Sequence, residues 1–236
     1  MVNRRPTRIT AILADYEGVV GPAIETLPVI SNLVRNLNGY VSNVSGVPPE
    51  EVATHIKMLL KKHNTDTTSY ALVMEYGVSV SEFSETVYGP ELPAIRNAIG
   101  RDVELHGLMR SARVPIAVLS NNAEAYVRTA SDAQGVTPLF VQFLCQESIH
   151  PYSKPNVGAY STALGITKFT QDSHTVFLDD KPLNLVAPKE LGLTTVYIGE
   201  RAVQAGFVES IDFTFPTFKD FLRQLRRQDE TTVMLT

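Results

Sequence analysis

Five short apolar runs constrain this chain more than any other feature: RITAILA (8–14), PIAVLS (115–120), LFVQFLC (139–145), TVFLD (175–179) and TTVYIG (194–199). They are rich in Val, Ile, Leu and Phe and do not alternate apolar with polar residues. A strand with one wet face alternates, whereas a strand covered by helices on both faces does not. Segments 121–134, 155–165 and 182–191, lying between most of the runs, read as helices. Alternating strand and helix predicts an α/β fold with a Rossmann-like parallel sheet. The stretch FPTFKDFLRQLRR reads as a last amphipathic helix, with Phe218, Phe221, Leu222 and Leu225 inward.

The first two runs are far apart. Roughly a hundred residues separate Asp15 from the run at 115–120, whereas a parallel crossover needs only a dozen or more. The excess has a different texture. AIETLPVISNLVRNL, PEEVATHIKMLLKKH, TTSYALVMEYG and VSEFSETVYG read as helices, and Pro48-Pro49 divides the first two. Residues 21–95 are therefore expected to form a helical cap inserted into a core made of 1–20 and 96–228, with 229–236 a frayed tail.

Composition narrows the classes of function. The 236 residues are 44% hydrophobic and 19% charged, ordinary for a globular protein, and the net charge of −4 gives no reason to expect nucleic acid as a partner. No segment approaches the length of a membrane span, and the basic start is followed by too short an apolar run for a signal peptide. The single cysteine, Cys145, cannot form an internal disulfide and reads as a small buried hydrophobe. His55, His63, His106, His150 and His174 show no metal-ligand spacing. The expectation is a cytoplasmic protein acting on a small molecule.

Four polar stretches stand at or near the carboxyl ends of predicted elements: Asp15-Tyr16-Glu17, Ser120-Asn121-Asn122, Ser153-Lys154-Pro155, and Asp179-Asp180 followed by Asn184. In open α/β sheets ligands bind along that edge. Taken singly, each has an ordinary explanation: a turn, a helix cap, a surface lysine. Their order and placement together point to a site. Clustered carboxylates repel unless a cation is present, and oxygen ligands without His or Cys favour Mg²⁺, which also seeks phosphate oxygens. Lys154, Ser120 and the backbone N–H groups after Ser120 could hold phosphate. One carboxylate could attack phosphorus while another acts as acid and then base.

These residues resemble the motifs of the haloacid dehalogenase (HAD) superfamily, from about residue 8 to 200. The first, Asp-x-Asp-x-(Thr/Val), reads Asp15-Tyr16-Glu17-Gly18-Val19; the second is Ser120 with Asn121; the third Lys154-Pro155; the fourth FLDDKPLN, Asp179 to Asn184. A finer similarity, to pyrimidine 5′-nucleotidase-like members with a helical cap, rests on Thr67-Thr68, SEFSETVYG and Leu92-Pro93, although HNTDTTSYAL departs from that group's Tyr-Gly-Thr-Thr pattern.

The resemblance implies a Mg²⁺-dependent phosphatase acting on a small phosphate monoester, a nucleoside 5′-monophosphate among the candidates, through an aspartyl phosphate. It assigns Asp15 as nucleophile, Glu17 as acid/base in place of the usual Asp, and Ser120 and Lys154 as phosphate holders. Asp15, Asp179, Asp180 and the backbone carbonyl of Glu17 would hold the metal, with Asp180 acting through water or orienting Lys154. Tyr16, Asn121, Asn122, Thr67, Thr68 and Asn184 would face substrate, Tyr70 being a further candidate. The alternatives are a phospho-ligand binding protein that has lost turnover, as Glu17 and Val19 could suggest, or another activity of the superfamily, a phosphomutase, an enolase-phosphatase or a dehalogenase. The acidic pair disfavours the last, which resembles the superfamily's metal-free members.

Overall fold

The computed structural model describes residues 8–233. Residues 1–7 of the expected core and 234–236 of the expected tail lie outside the described residues. The strands are β1 (Ala11–Ala14), β2 (Ile116–Leu119), β3 (Phe140–Leu144), β4 (Thr175–Asp179), β5 (Thr194–Ile198) and β6 (Phe213–Phe215). They form one sheet in the order β3-β2-β1-β4-β5-β6, with every pair parallel. The chain winds outward from β1 to β3, then returns to the other side of β1 to lay down β4. That reversal is the switch point beside which an open sheet forms its ligand crevice.

The sheet explains why the apolar runs do not alternate. Ile12, Ile116, Val118, Val176 and Leu178 pack on one face, and Leu13, Ala117, Leu119 and Phe177 on the other. Successive residues of one strand thus enter different cores, so the central strands β1 and β2 are apolar at every position, whereas β3, at the sheet edge, exposes Val141 and Gln142. Each fully buried Leu, Ile or Phe there contributes about 1.5–3 kcal/mol.

The insertion between β1 and β2 comprises α1 (Ile30–Ser45), α2 (Val52–Lys62), α3 (Thr68–Tyr76), α4 (Val80–Val87), α5 (Leu92–Ala98) and α6 (Val103–Ser111). Helices α1–α4 bury Tyr40, Val41, Val52, Leu59, Leu72, Phe83 and Val87 in a cluster of their own. The two ends of the insertion do not: Leu33 of α1 and Ile95 of α5 belong to the core on one face of the sheet. Helix α6 had no counterpart in the sequence reading; its Asp102 cap accepts from Leu105 N at 2.9 Å.

The later helices are α7 (Glu124–Gln134), α8 (Gln146–Ile149), α9 (Val157–Thr167), α10 (Val186–Glu190) and α11 (Phe218–Val233). A single 3₁₀ turn, Pro182–Leu185, precedes α10. Phe218, Phe221, Leu222 and Leu225 of α11 are buried as expected. Helix α11 runs through residues 229–233. Among the described residues, no helix is long and apolar enough to cross a membrane.

Candidate active site

Strand register brings the first and fourth motifs together. Ala14 pairs with Leu178, and Asp15 N donates to Leu178 O at 2.9 Å, so Asp15 emerges beside Asp179, the last residue of β4. Between them sits Lys154, whose Nζ lies 2.9 Å from Asp15 Oδ2 and 2.7 Å from Asp179 Oδ2. Lys154 is 1% exposed and Asp179 0%, so this is a buried charge network and not a solvated pair. A buried lysine survives charged only when so partnered. Burial works against its charge, but the two carboxylates outweigh it and hold the Lys154 pKa above its ordinary value.

Lys154 comes from the loop between α8 and α9, and Asn121 fixes that loop. The amide accepts from Lys154 N at 2.8 Å and donates to Lys154 O at 2.9 Å, so the second motif fastens the third directly. Asn121 also donates to Thr67 Oγ1 at 2.9 Å. Asp179 Oδ1 accepts from Lys181 N at 2.9 Å and from Asn184 Nδ2 at 3.0 Å, and Tyr160 OH holds Asn184 O at 2.7 Å. Asn184 therefore sets the orientation of Asp179, although it also lines the cleft.

Asp180 lies over the first loop. Gly18 has φ +71°, and a Cβ there would collide with the Asp180 carboxylate, so only glycine allows both the turn and the approach. Carboxylate oxygens of Asp15, Asp179 and Asp180 come within 4.8 Å of one another. One lysine does not offset three acids. Burial first, with Lys154 opposing it and Asp179 adding to it, pushes the Asp15 carboxyl up to about 8. Burial and Asp179 likewise raise Asp180. An excess of acid with oxygen-only donors fits a hard divalent cation. The expected division of labour between the two acids is corrected here: the ion pair with Lys154 belongs to Asp179, because the strand end points Asp179 inward and leaves Asp180 at the rim.

Glu17 does not join the three acids; its carboxylate occupies a socket of its own. Oε1 accepts from Ile24 N at 3.0 Å and from Tyr126 OH at 3.1 Å, and Oε2 accepts from Asn122 Nδ2. Burial pushes its pKa up, against the lowering effect of those donors. Tyr88 OH donates to Asn122 Oδ1 at 3.1 Å. The carboxylate as a metal ligand is thus not what the geometry offers.

Tyr16 is also corrected: it does not face the cleft. Its ring is fully buried, its OH donates to Gln134 Oε1 at 2.6 Å, and Gly21 folds back over it so closely that a Cβ would meet the ring at 2.6 Å. Tyr16 joins Ile12 and Ala14 in the core on one face of the sheet, while Asp15 between them lines the cleft. Thr67 and Thr68 stand at the start of α3 and do not line the cleft; Thr67 reaches it only through Asn121. Ser120, Asn121 and Asn122 do line it, with Ser120 Oγ accepting from Asn122 N at 3.2 Å.

The sequence reading passed over several contributors. Lys181 and Glu25 line the cleft, and Lys181 pairs with Asp66 of the insertion at 2.8 Å. A lysine directly after the acidic pair was the available signal. Tyr126 lies in the first turn of α7 on its buried face, where a phenol needs a partner.

No family model matches the sequence, and no curated protein matches it. Solved structures do match by shape. A HAD phosphatase from Thermococcus onnurineus has a TM-score of 0.61 at 14% identity, over 92% of this chain and 98% of that one. An L-2-haloacid dehalogenase from Xanthobacter autotrophicus, solved with chloropropionic acid covalently bound, gives 0.60 at 14% identity over 92% and 98%. YfnB from Bacillus subtilis, described as a HAD hydrolase and bound to magnesium, gives 0.57 at 12% identity over 93% and 99%. The fold is the Rossmann-like fold of HAD-superfamily proteins, and its structural neighbours include both phosphatases and dehalogenases.

Proposed function

We propose that the protein is a Mg²⁺-dependent phosphatase that hydrolyses a small phosphate monoester through an aspartyl phosphate on Asp15. The observation carrying this reading is the trio Asp15, Asp179 and Asp180, gathered within 4.8 Å around a buried lysine at the switch point. A metal-free halide-releasing site has no use for that surplus of acid. Asp15, Asp179 and Asp180 are the residues that would hold Mg²⁺, which when bound would offset the charge of the acids and of the phosphoryl group.

The residues divide the work in two steps. Asp15 forms a bond to phosphorus as the ester P–O bond breaks, and Glu17 gives its proton to the departing oxygen. Water then attacks the phosphoryl group, Glu17 takes back a proton, and the Asp15 carboxylate leaves. Lys154, Ser120 Oγ and the N–H groups following Ser120 hold the phosphoryl oxygens. Glu17 suits the first step because burial favours its protonated form.

The test is phosphate release from a panel of nucleoside monophosphates, sugar phosphates and short alkyl phosphates, with Mg²⁺ and then with EDTA. Metal-dependent release that Asp15→Asn abolishes supports the reading. Full activity in Asp15→Asn would sink it. Halide release from 2-haloacids without metal would establish a dehalogenase instead, and binding of phosphorylated metabolites without turnover would establish a binding protein.

A further inference from the structure

We infer that Tyr126 and Tyr88 are positioning residues for Glu17, Tyr126 acting directly and Tyr88 acting from the helical insertion through the Asn122 amide. The inference rests on the phosphatase reading and names what aims its acid/base.

The socket is complete. Two donors meet Glu17 Oε1, the Ile24 N–H at 3.0 Å and the Tyr126 hydroxyl at 3.1 Å, while the Asn122 amide meets Oε2. Asn122 can turn its NH₂ end toward Glu17 or its oxygen. The carboxylate accepts from the NH₂ end, and the amide oxygen at the other end accepts from Tyr88 OH at 3.1 Å, so the amide is held at both ends. Losing the Tyr88 hydroxyl leaves the Asn122 oxygen without that donor and the amide held at the Glu17 end alone.

The two tyrosines also form one packed unit. Their rings stack with centroids 5.5 Å apart and planes at 29°. Phe83, a member of the insertion's own apolar cluster, packs edge-on to Tyr88 at 6.1 Å, and Tyr40 packs on Phe83 at 5.5 Å. A contiguous set of aromatic contacts therefore joins the interior of the insertion to the Glu17 socket. Only an insertion seated as it is here brings Tyr88 to Asn122. The socket is also cut for Glu: an Asp carboxylate would stop about 1.5 Å short of the donors, one C–C bond less.

A merely structural role for either tyrosine would slow all substrates alike. A role in aiming the acid must depend on the leaving group. p-Nitrophenol departs as an anion and needs little help, whereas an alkoxide needs a proton. The experiment measures kcat/KM for p-nitrophenyl phosphate and for glycerol phosphate in the wild type, Tyr126→Phe and Tyr88→Phe, with melting curves to establish folding. A small misplacement of a catalytic group can cost as much as a hundredfold, so losing one donor of the socket should lower the alkyl-to-aryl ratio by about tenfold. Tyr88→Phe, at a half-buried position, carries the test even if Tyr126→Phe fails to fold. Glu17→Asp should lower the same ratio by at least as much. A ratio within about twofold of wild type in the folded tyrosine variants overturns the inference while the phosphatase stands. A wild type that releases no phosphate from these two esters or from any member of the phosphate-ester panel overturns the parent reading, and this one with it.

Discussion

Replacing Lys154 by Met removes the one buried cation among the described acids of the site, and the cost can be worked out. With EDTA present, the charge left on the cluster is relieved most cheaply by taking up one further proton. Holding a proton on an acid of ordinary pKa 3.8 costs 1.36 kcal/mol per pH unit above that value, so about 4 kcal/mol at pH 7 and about 1.6 kcal/mol at pH 5. The first figure falls in the range of about 3–5 kcal/mol typical of breaking a buried ion pair by removing one partner. The sign follows from proton counts. The folded variant holds a proton that the unfolded chain has released, so the variant loses stability relative to wild type as pH rises from 5 to 7. At about 2–4 °C per kcal/mol for a chain of this size, the melting temperature should fall by roughly 8–16 °C at pH 7 and by less than half of that at pH 5. Differential scanning calorimetry at both pH values measures it. A loss under about 1 kcal/mol at pH 7, or an equal loss at both pH values, would refute the reasoning, because then neither acid needs the lysine.

Three further outcomes follow from the geometry. Gly18→Ala should cost about 1–3 kcal/mol in backbone strain and, by displacing Asp180, raise the Mg²⁺ concentration for half-maximal phosphate release, read from a metal titration. Tyr16→Phe should cost about 1–3 kcal/mol by leaving Gln134 Oε1 without its donor, yet leave KM unchanged; a raised KM would return Tyr16 to the cleft. Asp66→Asn breaks an exposed pair and should move the melting temperature by no more than about 3 °C, while hydrogen exchange speeds up around residues 64–67, where the insertion meets Lys181.

Much of this was legible in the sequence, for stated physical reasons. β1 and β2 could be read because strands buried on both faces are apolar at every position, and β3, β4 and β5 because their runs are mostly apolar. β6 could not: Phe213–Phe215 is three residues long, at the sheet edge, with Thr214 exposed. Asp15, Ser120 and Asp179 could be placed because a parallel sheet collects its strand ends on one edge; Lys154, in the loop before α9, rested on the order of the four stretches. Which acid would take Lys154 could not, since that depends on whether Asp179 or Asp180 is the last residue in the ladder. Tyr16 misled because polar-tipped aromatics look like ligand contacts, whereas its true partner, Gln134, is on α7, far away in the chain. The surroundings of Glu17 could not be read: its donors come from Ile24, Asn122 and Tyr126, and no local pattern announces such a set.

The central place of β1 also has a consequence for how the chain is made. Its two neighbours are β2, beginning at Ile116, and β4, ending at Asp179. Translation at roughly 5–20 residues per second means that the strand leading to Asp15 waits about 8–33 s before its second edge partner exists. Until then an apolar strand has at least one open edge, the kind of surface that chaperones bind and other chains add to. A nascent or truncated chain ending before Asp179 is thus the most aggregation-prone form of this molecule.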